Sequence, residues 1–262
     1  MNPEIFSQLK NWFTRYVAGY YTGEHEHDRN IRLKEEHTDR VCQNMSLLCQ
    51  SLSLPPADSR LAEVISLLHD VGRFEQYRRY RTFNDMKSKN HAYLGLQVMA
   101  KHRVLSELDG KDRRTVMYAI ACHNVAILPA GASERMRMFM KLIRDADKLD
   151  IWKVVVDYYR ERAVKPNKTI ELDLPDTLEC SQTALDALRE ERFARIHEMK
   201  TLNDFKLLQI SWVFDLNFAR SFEILKDRHY IERIAETLPD TPAVTDAVGY
   251  AFRRVQQMTE GR

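Results

Sequence analysis

Disulfide staples, membrane spans and a lopsided charge are all missing from this sequence. Only four cysteines occur among 262 residues, Cys42, Cys49, Cys122 and Cys180, and no two form a Cys-x-x-Cys pair. A chain this long can build its core without cross-links, so they are read as buried thiols of a reducing compartment. No apolar run approaches the roughly 20 residues that a membrane span needs. The opening Met1-Asn2-Pro3-Glu4 is read as the start of a helix instead of a signal peptide. The expected location is the cytoplasm, with no membrane partner. A formal charge of +2 gives no overall field to draw in nucleic acid, and none is expected as a partner. Internal repeats, coiled-coil heptads and low-complexity tracts are absent as well.

What the sequence does have is 44% apolar and 30% charged residues, a composition suited to a globular protein. Helical periodicity runs through nearly all of it. Asn2 is placed to cap a first helix with Pro3 at its first position, and Ile5, Leu9, Trp12 and Phe13 form its apolar face. That helix is expected to end near Gly23. A polar stretch over 24–30 leads to a second helix that ends near Leu52, ahead of Pro55-Pro56. A third carries Leu61, Ile65 and Leu68 into His69-Asp70, with Gly72 expected beyond its last turn as a left-handed residue. From 73 to 90 the pattern disappears, which predicts a long functional loop. Helices are expected near 90–102, 111–123, 133–147, 150–163, 181–199, 203–226, 228–237 and 241–258. The irregular stretch 164–179 contains an alternating Thr169-Ile170-Glu171-Leu172 that suits one short strand. The fold class is all-α, read as a single domain over 1–262.

The chemistry lies in what interrupts the apolar faces. His37 sits on the stripe of Leu33, Val41, Met45 and Leu48, and His91 shares its face with Leu94, Gly95 and Val98. Gly95 is small enough to let another backbone approach. Val116, Ala119 and Ile120 lead to His123, and Met136, Met140 and Ile143 lead to Asp147. Any one such histidine is most simply a core residue bonded to a carbonyl. Four histidines and two aspartates, counting His69 and Asp70, would each need a separate innocent partner, and a shared metal centre answers for all of them.

The series His37, then His69-Asp70, then Asp147 within Arg144-Asp145-Ala146-Asp147-Lys148-Leu149-Asp150 resembles the signature of the HD-domain superfamily of metal-dependent phosphohydrolases. The resemblance covers roughly 30–160, as the core of an HD-type helical bundle. Residues from about 180 to 262 form a C-terminal helical extension. It implies that His37, His69, Asp70 and Asp147 hold one metal. Asp147 is preferred to Asp145 because it precedes Lys-Leu and continues the apolar stripe. Relatives with extra histidines build a two-metal site, so His91 and His123 are expected to hold a second ion, with Asp70 touching both. Two divalent ions are thus implied, iron or manganese first, with zinc, cobalt, nickel or magnesium as alternatives.

Two cations roughly 3.5–4 Å apart can hold a hydroxide between them and clamp a phosphoryl group, so a metal-bridging hydroxide is the expected nucleophile. His69, Asp70, Arg73 and Lys148 are taken as the catalytic set. Arg73, Arg78, Arg79, Arg81, Lys87 and Lys89 are taken as cations that bind the substrate phosphate. Tyr77, Tyr80 and Phe83 could stack on a base or pin the loop to the core. His25, His27, His102, His197 and His229 are read as surface residues. The Gly-Tyr-Pro signature of cyclic di-nucleotide phosphodiesterases is absent, and Asn124 follows His123. The expected substrate is therefore a nucleotide or another small phosphorylated metabolite. A diiron oxygenase of the same superfamily and a catalytically inactive metal- or nucleotide-binding module are the alternatives. Trp212, Phe214, Phe218 and Phe222, placed on one C-terminal helix, could cap the site, complete the core or form the face of a homodimer.

Overall fold

The computed structural model describes residues 3–164, 166–167 and 169–260. Asn2, the expected first cap, lies outside them. The described residues form helices and turns without a strand, as the all-α reading requires. Contacts group the chain into two compact units, Met1–Asp150 and Ile151–Arg262. No helix among the described residues is long and apolar enough to cross a membrane. All four cysteines are free; Cys49 and Cys122 are buried as expected, while Cys42 and Cys180 are only half-buried.

The first unit contains α1 (Pro3–Ala18), α2 (His25–Ser51), α3 (Pro56–Leu68), α4 (Val71–Tyr80), α5 (His91–Lys101) and α6 (Gly110–Ala121). The long α7 (Glu134–Glu161) begins in it and runs past residue 150. Helix α2 starts several residues before the expected boundary. The Asp28 carboxylate accepts the Thr22 and Gly23 N–H groups at 2.8 and 2.9 Å and, with Gly23 at φ +86°, closes the turn that launches it. Helix α3 opens on Pro55-Pro56, with a proline at a position whose N–H would have no helical partner anyway.

The expected loop after residue 73 is instead α4. Val71, Phe74 and Tyr77 recur at helical spacing, but the helix also buries Glu75 and Gln76, and these polar residues break the pattern. Gly72 is helical, not left-handed. Its role is close approach: a Cβ there would lie 2.1 Å from the His91 carbonyl oxygen and 2.4 Å from Gly95 N. Gly95 faces it as expected of a residue that admits a neighbouring backbone. Helix α4 packs chiefly on α5, α2 on α3, and α6 on both α3 and α5. Helix α7 replaces two expected helices, because Lys148-Leu149 offers no breaker between them.

The second unit holds the end of α7 with α8 (Gln182–Arg189), α9 (Leu202–Ser211), α10 (Ala219–Asp227), α11 (Tyr230–Ala235) and α12 (Pro242–Glu260). Leu185, Leu188, Ile210, Phe222, Ile234 and Ala251 lie in its core. The strand expected over 169–172 is a turn, since Leu172 and Asp173 are left-handed at φ +55° and +58°. The helix expected over 203–226 is split. Trp212 and Phe214 fall in a 3-10 turn (Trp212–Asp215), Phe218 caps α10, and Phe222 lies within α10.

Candidate metal centre

Five segments of the first unit deliver their polar side chains to one buried point. His37 comes from the middle of α2, His69 and Asp70 from the α3–α4 junction, and His91 opens α5. His123 follows α6, and Asp147 lies on α7. Asp70 occupies the N-cap position of α4 yet makes no side-chain cap. An aspartate there ordinarily accepts a helix N–H, but this carboxylate is aimed at the histidines instead.

The two oxygens of Asp70 divide the cluster. Oδ2 lies 3.5 Å from His37 Nε2 and 3.8 Å from His69 Nε2, while Oδ1 lies 3.3 Å from His91 Nε2 and 3.8 Å from His123 Nε2. Each triad, His37-His69-Asp70 and Asp70-His91-His123, offers ligand atoms within 4.8 Å of one another. Asp147 joins the first, its Oδ1 being 3.1 Å from His37 Nε2 and 3.7 Å from His69 Nε2.

Every imidazole is held from behind. His37 Nδ1 meets Asp150 Oδ2 at 2.7 Å, and His91 Nδ1 meets Asp85 Oδ2 at 2.7 Å. His69 Nδ1 meets the Ser66 carbonyl at 2.8 Å, and His123 Nδ1 the Ile120 carbonyl at 2.7 Å. Carbonyl and carboxylate oxygens only accept, so in each ring Nδ1 carries the proton and Nε2 presents a lone pair. This is the arrangement that orients histidine ligands on metals.

The lone pairs have no protein donor to meet. His37 Nε2 and His69 Nε2 are buried without a hydrogen-bond partner. His91 Nε2 and His123 Nε2 face each other at 2.9 Å. Two lone pairs at that separation repel unless a cation sits between them. A proton is disfavoured: burial, helped by Arg73, lowers the pKa of His91, and burial, helped by His91, brings that of His123 to about 3. At His37, burial and Lys34 press downward, but Asp147 and Asp150 outweigh them and raise the pKa. Burial would raise the Asp70 pKa, yet Lys34, Arg73, His69 and His91 hold it well below the usual carboxylate range. Asp147 likewise stays ionised, because His37 and His69 overcome its burial. His91 and His123 held neutral beside ionised Asp70 and Asp147, with His37 and His69 completing the ring of Nε2 atoms, are a donor set that fits divalent metal ions.

Among the expected phosphate-binding cations, Arg73 reaches the cluster. Its Nε lies 3.4 Å from Asp70 Oδ1, and its Nη1 is anchored to the Phe83 carbonyl at 2.6 Å and Gln76 Oε1 at 2.9 Å. Lys148 is buried on α7 beside Asp147. Arg78 and Arg79 turn away, because the helical course of α4 directs both to the Glu75 carboxylate. Arg81, left-handed at the end of α4, pairs with Glu24 at 3.2 Å and with His27 Nδ1 at 2.5 Å. Lys87 and Lys89 are exposed on the segment 81–90. His27 is not a surface residue: it is buried, and its Nε2 donates to the Tyr20 carbonyl at 2.9 Å. His25, His102, His197 and His229 are exposed as expected.

Three contributors carried weaker signals. Lys34 Nζ meets Asp70 Oδ2 at 2.8 Å; it lies one turn before His37, where a lysine reads as solvated surface. Asp150, one turn beyond Asp147, buttresses His37 and is itself held by Arg40 Nε at 2.6 Å. Asp85 buttresses His91 from the aperiodic segment 81–90, where no spacing argument could find it.

Residues 35–152 match the family model described as the HD domain. No curated protein and no solved structure matches the chain.

Proposed function

We propose, from the match of residues 35–152 to the HD-domain family model, that the protein hydrolyses a phosphoester of a nucleotide or another small phosphorylated metabolite, using two divalent ions. The observation that carries this reading is the convergence of four Nε2 lone pairs on the two oxygens of Asp70. His37, His69, Asp70 and Asp147 would hold one ion. Asp70, His91 and His123 would hold the other, with iron or manganese preferred. Bound there, such ions would lower the pKa of water from 15.7 to near 7 and would neutralise charge on phosphoryl oxygens.

The protein's own part is to place and compensate charge. Arg73 Nε is buried, 3.4 Å from Asp70 and without a hydrogen-bond partner, while Nη1 is tied down behind it. That leaves a pre-oriented donor for a phosphoryl oxygen. Lys34, with Nζ 5.3 Å from the Phe83 ring centre, is held as a second cation on the Asp70 side. Lys148, next to Asp147, is assigned to the leaving group. Asp85 and Asp150 keep the Nδ1 protons of His91 and His37, so that Nε2 stays available.

Metal analysis of the purified protein should find about two equivalents per chain. The protein should then release phosphate from a phosphoester panel equally well in air and under strict anaerobiosis. Asp70→Ala should lose both the metal and the activity. Turnover that consumes O2, or a fully loaded protein inactive on every phosphoester, would overturn the proposal.

A further inference from the structure

Away from the metal cluster, a cavity of about 290 Å³ opens beside α1, α4 and α5. Its lining includes Arg78, Arg79, Lys101 and His102, against a single carboxylate, that of Glu75. Arg78 Nη2 reaches Glu75 Oε2 at 2.5 Å, Arg79 Nε reaches Oε1 at 2.5 Å, and the Tyr20 hydroxyl donates to Oε2 at 2.9 Å. Two guanidinium groups thus converge on one acceptor, and Lys101 adds a third cationic side chain to the same lining. Even with His102 neutral, positive charge is in surplus.

We infer that this cavity is a second, metal-independent site for a small phosphomonoester. Guanidinium forks match phosphate oxygens, and three cations around a concave surface concentrate a field that attracts anions. Arg78 and Arg79 are about half exposed, so their outer N–H groups remain accessible to a ligand while Glu75 steadies the inner ones. The volume falls at the small end of ligand pockets, which run from about 300 to 1,000 Å³; it suits a phosphorylated sugar or a nucleoside monophosphate. Arg78 lies eight residues beyond Asp70, roughly 12 Å along a helical rise, so the site is distinct from the cluster. Helices α4 and α5 nevertheless serve both, with Asp70 and His91 at one end and Arg79 and Lys101 at the other. The inference stands whether or not the protein is a hydrolase.

Calorimetric titration of the full chain with a nucleoside monophosphate, in the presence of chelator, tests it. One saturable site is expected, displaced by inorganic phosphate. Its affinity should weaken at least tenfold in Arg79→Gln and in Lys101→Gln, and stay unchanged in Arg73→Gln. Circular dichroism melts would verify that each variant folds, and Lys101→Gln on an exposed helix end carries the test if Arg79→Gln does not fold. No saturation at millimolar ligand, failure of phosphate to compete, or dependence on Arg73 in place of Arg79 and Lys101 would overturn it.

Discussion

At the scale of single residues, the site is governed by where each imidazole keeps its proton. Four Nδ1 atoms have acceptors, two of them carboxylates, and the tautomer follows from that alone. Removing such a backing group typically costs ten- to a hundredfold in metal affinity. Asp85→Ala should therefore weaken the Asp70-His91-His123 triad by about that factor while leaving the His37 triad filled. Metal content after dialysis would fall toward one equivalent per chain. The ligands themselves were legible in the sequence, because histidine and aspartate stand out on faces that ought to be apolar. Their supports were not. Lys34 looks like solvated helix surface, and Asp85 sits where periodicity is lost. His27 is hidden by its sequence neighbours in a similar way: Glu24, Glu26 and Asp28 suggest exposure, whereas Tyr20 and Arg81 satisfy both ring nitrogens inside.

At the scale of elements, the contact between α4 and α5 sets the geometry of the cluster. Gly72 and Gly95 let the two backbones meet directly behind Asp70 and His91. In Gly72→Ala the new methyl group would press on main-chain atoms, which cannot swing aside as a flexible side chain could. The expected cost is at or above the upper end of the about 1–3 kcal/mol usual for overpacking. It should appear as a lower midpoint in denaturant, together with reduced metal binding, since Asp70 and His91 would be pushed apart. Gly110→Ala, at a position where a Cβ meets nothing within 4 Å, serves as the control. Helix identity was readable for most of the chain, but α4 was hidden. Its buried Glu75 and Gln76 interrupt the apolar spacing, and its fixed charges resemble those of a loop. The left-handed residues at 172, 173 and 191 stop elements that propensity alone would have prolonged.

At the scale of the molecule, all of the candidate ligands belong to the unit Met1–Asp150. Ligand binding to the native state alone stabilises by about 2.7 kcal/mol at a hundredfold excess over Kd. Hydrogen exchange with and without manganese should therefore show the added protection in α2 through α6 and the first half of α7. Protection centred on α8 to α12 would contradict this. The C-terminal aromatic cluster could be seen in the sequence, but its division among a 3-10 turn, a cap and a helix could not, because no glycine or proline marks the breaks between Trp212 and Phe222.

The two halves of the cluster are near copies: in each, one imidazole leans on a carboxylate and the other on a main-chain carbonyl. Asp147 alone breaks the parity, adding a negative charge beside His37 and His69. On the two-ion reading proposed above, the His37 half should fill first and the His91 half last, which a stepwise metal titration would check. If so, scarce metal would leave mostly singly loaded protein, and any activity that needs both positions would respond to supply as a threshold.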